Sequence, residues 1–431
     1  MTGPYRVALL ALGCKVNFAE MADLAGELAA AGCDVVAAEE PADVRVVNSC
    51  TVTTQADATT RQRLRQLRRL DPYAHIVLTG CSVDANPGQY MPVDAERARL
   101  ADAGIDSVFA NRDKQRIAAH VLALAAGRAQ PRADANPVLL RSRAFLKVQD
   151  GCDHRCTYCI VWRARGESRS VAQEAVLERA QAAIDAGQSE IVLTGVDLGS
   201  YGRDVGTTLA ALVTALLARV GDTARIRLSS VNANDMTPSL IELNAHPRLC
   251  SHWHMPLQSG SDRVLRAMHR GYRRQRYLRV VRQLREHDPL TEFTTDVMVG
   301  FPGETDGDHE QTLSLIDEVG FLSCHVFRWS PRPDTPAADL GDRVPDAVAR
   351  RRSAEARGAA SRTGHRSRVR ACGRTHEVVW DHATEGSAHG LSSTFHEILV
   401  ADAPRTRPGT LGHARAVSVD GEVLRATLQR P

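Results

Sequence analysis

Residues 151–159 read GCDHRCTYC and set Cys152, Cys156 and Cys159 in a C-x3-C-x2-C spacing. The run before them, Ala144–Gln149, is apolar and β-prone, so the cysteines are expected in the loop that leaves a strand. Thiols this close in sequence point to metal binding. Three thiolates hold three irons of a four-iron cluster and leave the fourth iron open to another ligand. A closed zinc site wants a fourth protein ligand, which His154 supplies only from inside the tight loop. Iron–sulfur fits the spacing better, and zinc stays open on these residues alone.

Strand-like runs recur downstream at Glu190–Gly195, Arg225–Val231, His252–Leu257, Glu292–Val299 and His325–Trp329. Helical stretches such as Val171–Ala186, Asp262–Glu286 and Asp308–Val319 separate them. Six β/α units in a row predict a barrel or an incomplete barrel over residues 138–345, with its function at the carboxyl ends of the strands. Residues 341–366 are rich in Arg and Ala and read as helix or link. Beyond them, over 367–431, the β-prone runs Glu377–Trp380, His396–Val400, Arg415–Val419 and Leu424–Leu428 alternate with Gly and Pro turns, which predicts a small all-β module.

Upstream, residues 1–130 repeat the α/β pattern. Strands are expected at Tyr5–Leu12, Asp34–Ala37, Val44–Asn48, His75–Thr79 and Ser107–Ala110, with helices such as Phe18–Ala31 and Gln55–Leu70 between them. Residues 127–140, with two prolines among small polar residues, suit a linker. Three strands are each followed by a cysteine: Cys14, Cys50 and Cys81. Ligands of open α/β sheets sit beyond the carboxyl ends of the strands. The three thiols are therefore expected to converge on one ligand; separate buried thiols are the bland alternative.

Composition narrows the class. The chain has 431 residues, room for two to four domains, and a net charge of +3 that does not by itself announce nucleic-acid binding. Its ten cysteines suit metal or catalysis in a reducing compartment rather than disulfides. Val7 to Leu12 is shorter than a signal-peptide core, and no stretch approaches the ~20 apolar residues of a membrane span. A cytoplasmic protein without membrane partners is the expectation. In RQRLRQLRRL, residues 61–70, Leu64, Leu67 and Leu70 are expected to form a buried stripe under five arginines.

With the motifs in place, the chain resembles the radical S-adenosylmethionine methylthiotransferases along nearly its whole length. The resemblance rests on LGCKVN, NSCTVT and TGC in the first domain and on GCDHRCTYCIVWRARG, HMPLQSGSDRVLRAMHRGY and TDVMVGFPGET in the second. It implies a partial radical-S-adenosylmethionine barrel and a terminal barrel of the TRAM type, which grips tRNA and brings the anticodon loop to the barrel mouth. It implies two [4Fe-4S] clusters, one on Cys152, Cys156 and Cys159 and one on Cys14, Cys50 and Cys81, with S-adenosylmethionine cleaved to a 5′-deoxyadenosyl radical. Thr194, Gly195, Asp197, Gln258 and Ser259 would contact S-adenosylmethionine, and Gly300, Pro302 and Gly303 are strand-end candidates. An electron donor such as flavodoxin or ferredoxin is implied, while the sulfur donor stays open.

Family members act on a threonylcarbamoyl- or an isopentenyl-adenosine beside the tRNA anticodon, or on an aspartate of a ribosomal protein. Cys14-Lys15-Val16-Asn17 and LTGVDLGSYG are most similar to the threonylcarbamoyladenosine group. An iron–sulfur RNA-binding protein without catalysis is the rival from another class. Two departures stand out: Trp162-Arg163 where the family has proline and an aromatic residue, and Asn232 where it has glutamate. Arg165 reads equally as a substrate contact or a surface ion pair. Cys33, Cys250, Cys324 and Cys372 lack metal spacing and are expected to be structural thiols, and His252 and His254 to serve packing.

Overall fold

The computed structural model describes residues 4–51, 54–90, 104–126, 128, 142–384, 386–401 and 406–429. The linker expected over 127–140 lies, residue 128 apart, outside the described residues. Two compact units are formed. One comprises Met1–Leu140, Gly151–Asp153 and Cys159–Glu167, and the other Arg141–Asp150, His154–Tyr158 and Ser168–Pro431.

The first unit is a parallel sheet of β1 (Arg6–Ala11), β2 (Asp34–Val36), β3 (Val44–Ser49), β4 (His75–Gly80) and β5 (Ser107–Phe109), in the order β2-β1-β3-β4-β5. β3 is buried at every residue, as a strand covered on both faces must be. The helix Lys15–Ala30 buries Met21, Leu24, Ala25 and Leu28, and a second helix runs Thr54–Leu70. Leu64 and Leu67 are buried as expected, but Leu70, the last residue of the helix, is 54% exposed.

In the second unit β6 (Ala144–Asp150), β8 (Glu190–Gly195) and β9 (Arg225–Leu228) are parallel, and the two-residue β7 (Arg169–Ser170) runs antiparallel on β6. β10 (His252–His254), β11 (Glu292–Val299) and β12 (Ser323–Arg328) form a second parallel sheet. A parallel bridge between Ser230 and His254 joins the two. The result is an open barrel of six parallel strands around Leu193, Ile226, Trp253, Phe293 and Val297. The helix expected over Asp262–Glu286 is two, Asp262–Ala267 and Arg274–His287, divided where His269 takes φ 58°.

A helix of 26 residues, Asp346–Ala371, runs through residue 367, where the all-β module was expected to begin; Ser367, Arg368 and Ala371 are buried parts of it. The module is a closed barrel of β13 (Thr375–Thr384), β14 (Ser387–Ser392), β15 (Glu397–Ala401), β16 (Leu411–Asp420) and β17 (Val423–Gln429). It rests on the amino ends of the parallel strands. Glu190, fully buried at the start of β8, accepts from Arg225 Nε at 2.7 Å and from Arg227 Nε at 2.8 Å. The same guanidiniums donate to the module's Leu391 and Ser392 carbonyls, each at 2.8 Å. Burial would raise the Glu190 carboxyl, but Arg227 and Arg225 outweigh it and hold the carboxyl well below the usual range. Neutralising Glu190 leaves Arg227 buried without a counter-charge and Arg225 with Glu377 alone. Glu190→Gln is expected to lose about 3–5 kcal/mol of stability, read by chemical denaturation.

Candidate functional site

In the first unit, the order β1-β3-β4 sets three strand ends side by side, and each is followed within three residues by a thiol. Cys14 is the residue before the helix Lys15–Ala30, Cys50 follows β3, and Cys81 opens a short helix, Cys81–Ala85. A Cβ built on Gly13, whose φ is +86°, would stand 2.4 Å from Cys50 Sγ. Only glycine fits there, in conformation and in space. Cys50 and Cys81 are buried and Cys14 is exposed.

Polar groups from distant parts of this unit meet at Cys81. Arg165 Nε donates to Cys81 Sγ at 3.2 Å, and its other nitrogens donate to Glu20 Oε1 at 2.9 Å and Asn17 Oδ1 at 2.7 Å. Lys114 Nζ lies 2.5 Å from Glu20 Oε2, and Asn111 Nδ2 is 3.9 Å from Cys81 Sγ. Arg165, Lys114 and Glu20 together leave one net positive charge beside a group of thiols, a compensation that buried thiolates require. Arg165 is only 4% exposed, so it is neither a surface ion pair nor free for substrate. Asn17, on the first turn after Cys14, could be read from LGCKVN; Glu20, Lys114 and Asn111 carry no motif.

Cys152, Cys156 and Cys159 lie on the loop between β6 and the helix Val161–Arg165. Cys152 N donates to Gly166 O at 3.0 Å, which closes the loop on itself. Trp162 is the second residue of that helix, so the turn forms with tryptophan where the family has proline. In the second unit, Arg270 Nη1 donates to Cys156 Sγ at 3.4 Å, and Arg270 is steadied by Asn232 Oδ1 and by the Tyr272 ring beneath it. Asn232 also donates to Asp197 Oδ1 at 3.1 Å, so the position that departs from the family is built into this network.

His154 is not placed as a fourth zinc ligand. Its Nε2 faces Asp197 Oδ2 at 3.2 Å and Asp235 Oδ2 at 3.6 Å, and hydrogen bonding to these carboxylates lifts its pKa to about 10. The ring is set between two carboxylates of the second unit.

Of the other strand-end candidates, Thr194 and Gly195 close β8, and Thr194, Asp197, Gln258 and Ser259 are all buried. Gln258 takes φ 64°, and its Oε1 is buried without a hydrogen-bond partner among the described residues, as a ligand-facing amide would be. Gly300 has a different role: a Cβ there would meet Ala349 Cβ at 2.9 Å, so its smallness serves the long helix. Gly303 O accepts from Arg263, and a Cβ at Gly303 would meet only Arg263 within 4 Å. His252 and His254 both bond Thr294 Oγ1 at 2.9 Å, and His252 stacks on Phe395, a packing role.

Residues 146–316 match the radical SAM superfamily, and residues 6–98 match an uncharacterized protein family, UPF0004. The threonylcarbamoyladenosine tRNA methylthiotransferase of Thermotoga maritima is 37% identical over 86% of each chain, and that of Chlamydia pneumoniae 34% over 96% of each. A tRNA-2-methylthio-N(6)-dimethylallyladenosine synthase of Moorella thermoacetica is 34% identical over 80% of each chain. Among solved structures, the radical S-adenosylmethionine methyltransferase TsrM of Kitasatospora setae superposes with a TM-score of 0.57 at 15% identity, over 78% of this chain and 77% of that one, which is a likeness of fold. No described helix is long and apolar enough to cross a membrane. At these identities, sustained over most of both chains, the protein belongs to the radical S-adenosylmethionine methylthiotransferases that modify tRNA.

Proposed function

We propose that this enzyme adds a methylthio group to carbon 2 of N6-threonylcarbamoyladenosine at position 37 of tRNA, in the cytoplasm. The observation that carries the reading is the presence of two separate three-thiol sets, each with a guanidinium donating to one of its sulfurs. The donor chemistry fits iron–sulfur clusters: three thiolates per set, no fourth ligand in sequence, and positive charge close by. Cys152, Cys156 and Cys159 would hold one cluster, and Cys14, Cys50 and Cys81 the other.

With S-adenosylmethionine bound, the first cluster supplies one-electron chemistry able to break a carbon–hydrogen bond that acid–base groups cannot activate. The protein's own groups orient and shield. Arg165 fixes Cys81 and Arg270 fixes Cys156. Thr194, Gly195, Asp197, Gln258 and Ser259 would bind S-adenosylmethionine at the strand ends, with the unpartnered Gln258 Oε1 ready to accept a hydrogen bond. A flavodoxin or ferredoxin would deliver the electron.

Nucleoside mass spectrometry of tRNA from a deletion strain tests the substrate. The methylthiolated threonylcarbamoyladenosine is expected to vanish and its unmodified precursor to accumulate. Loss of the methylthiolated isopentenyladenosine instead would reassign the enzyme, and intact tRNA with an altered ribosomal protein would overturn the reading.

A further inference from the structure

The long helix Asp346–Ala371 runs antiparallel to the last barrel strands. Its first turns meet their carboxyl ends, where Arg328 pairs with Asp346 and Arg352 Nη1 reaches Glu304 Oε2 at 2.8 Å. Its last turns meet their amino ends, where Ser367 Oγ reaches Glu292 Oε1 at 2.5 Å and Arg368 Nε donates to Glu422 O of the β-module at 2.8 Å. At 26 residues it is roughly 39 Å long. It therefore spans the distance between the module, which sits at the amino ends, and the face where the reaction belongs. The module's position alone does not bring RNA to the barrel mouth.

One face of this helix carries Arg362, Arg366 and Arg370, all exposed, with Arg374 continuing the four-residue spacing just beyond its end. Successive guanidiniums are thus about 6 Å apart along the axis, the scale on which phosphates repeat along a nucleic-acid strand. With Arg285 they line a cleft of about 720 Å³. Four acids also line it, and two of them are engaged elsewhere. Glu318 is held by Arg274 at 2.7 Å, and Glu377 by Arg225 at 3.2 Å and Arg248 at 3.0 Å. Glu292 is buried and bonded by Ser367, and it also pairs with Arg370 of the row at 3.4 Å. Asp317 meets the row openly, 2.9 Å from Arg366, in a pair about half exposed on both sides that contributes little. The cleft is therefore cationic, and histidines are the only aromatic rings lining it, which suits backbone contact rather than base reading.

We propose that the arginine row on the last turns of this helix is a track for the phosphodiester backbone of the tRNA, leading it from the β-module onto the barrel's flank. The inference rests on tRNA being the substrate. The row is too long for one free phosphate and calls for a chain of them.

The test is binding of unmodified tRNA to the holoenzyme as a function of salt, for the wild type, for Arg362→Ala/Arg366→Ala/Arg370→Ala, and for Asp317→Asn. Each lost phosphate contact removes about 0.9 from the slope of log K against log salt, so the triple variant is expected to lose about 2–3 in slope, equally for all tRNAs. Asp317→Asn, which frees Arg366, is expected to tighten binding at low salt. A triple variant with the wild-type slope overturns the track while leaving the enzyme's function standing. If that variant does not fold, unchanged or weakened binding by Asp317→Asn overturns it instead. A wild-type protein that binds no tRNA would remove the functional reading and the track together.

Discussion

Cys14→Ala protein is expected to form no methylthiolated nucleoside while still cleaving S-adenosylmethionine. Cys14, Cys50 and Cys81 share one end of one sheet, and Cys152, Cys156 and Cys159 share a different loop. Each cluster takes its own set of thiolates, so the variant should retain roughly half the iron. Arg165 keeps Cys81, Glu20 and Asn17 as partners in the variant. A Cys14 that served packing alone would give a modest stability loss with normal iron and normal product; Cys14 is exposed, so even that loss should be small. Iron and nucleoside measured on one preparation decide, and full methylthiolation would end the two-cluster reading.

Cys156→Ala is expected to abolish 5′-deoxyadenosine formation altogether, with the other half of the iron lost. Cys156 is the buried member of its set and the one that accepts from Arg270. Removing it leaves two thiolates for a cluster that needs three from the protein, and the Arg270 guanidinium loses a sulfur acceptor while keeping Asn232. The fold should survive, because Phe293, Trp253 and Leu193 in the barrel core are untouched. Undiminished 5′-deoxyadenosine from this variant would refute the assignment of the loop.

The parallel strands were legible because their apolar runs are continuous and flanked by glycine and polar turns; β8 and β11 match residue for residue. β14, Ser387–Ser392, was not, because SAHGLS has few large apolar residues. Its Gly390 is there because a Cβ would meet Val379 O at 2.4 Å, a crowding invisible to hydropathy. The long helix outran its expected end because its buried side is Ala, Ser, Thr and Gly with Arg352 and Arg368, residues that leave no apolar period. All six cysteines of the two sets could be picked out from spacing and strand ends. The charges around them could not: Arg165 and Glu20 are 145 residues apart in sequence, and no local pattern records a long-range ion pair.

Gly13 carries a consequence for how relatives of this protein should be judged. The space a methyl group would take at that position is already claimed by the sulfur of Cys50. A chain with alanine there would keep every cysteine in register and would pass any inspection that counts thiols. It would nevertheless be short of one, as surely as if Cys50 had been replaced. The competence of such a site is thus written partly in a residue that contributes no atom to it.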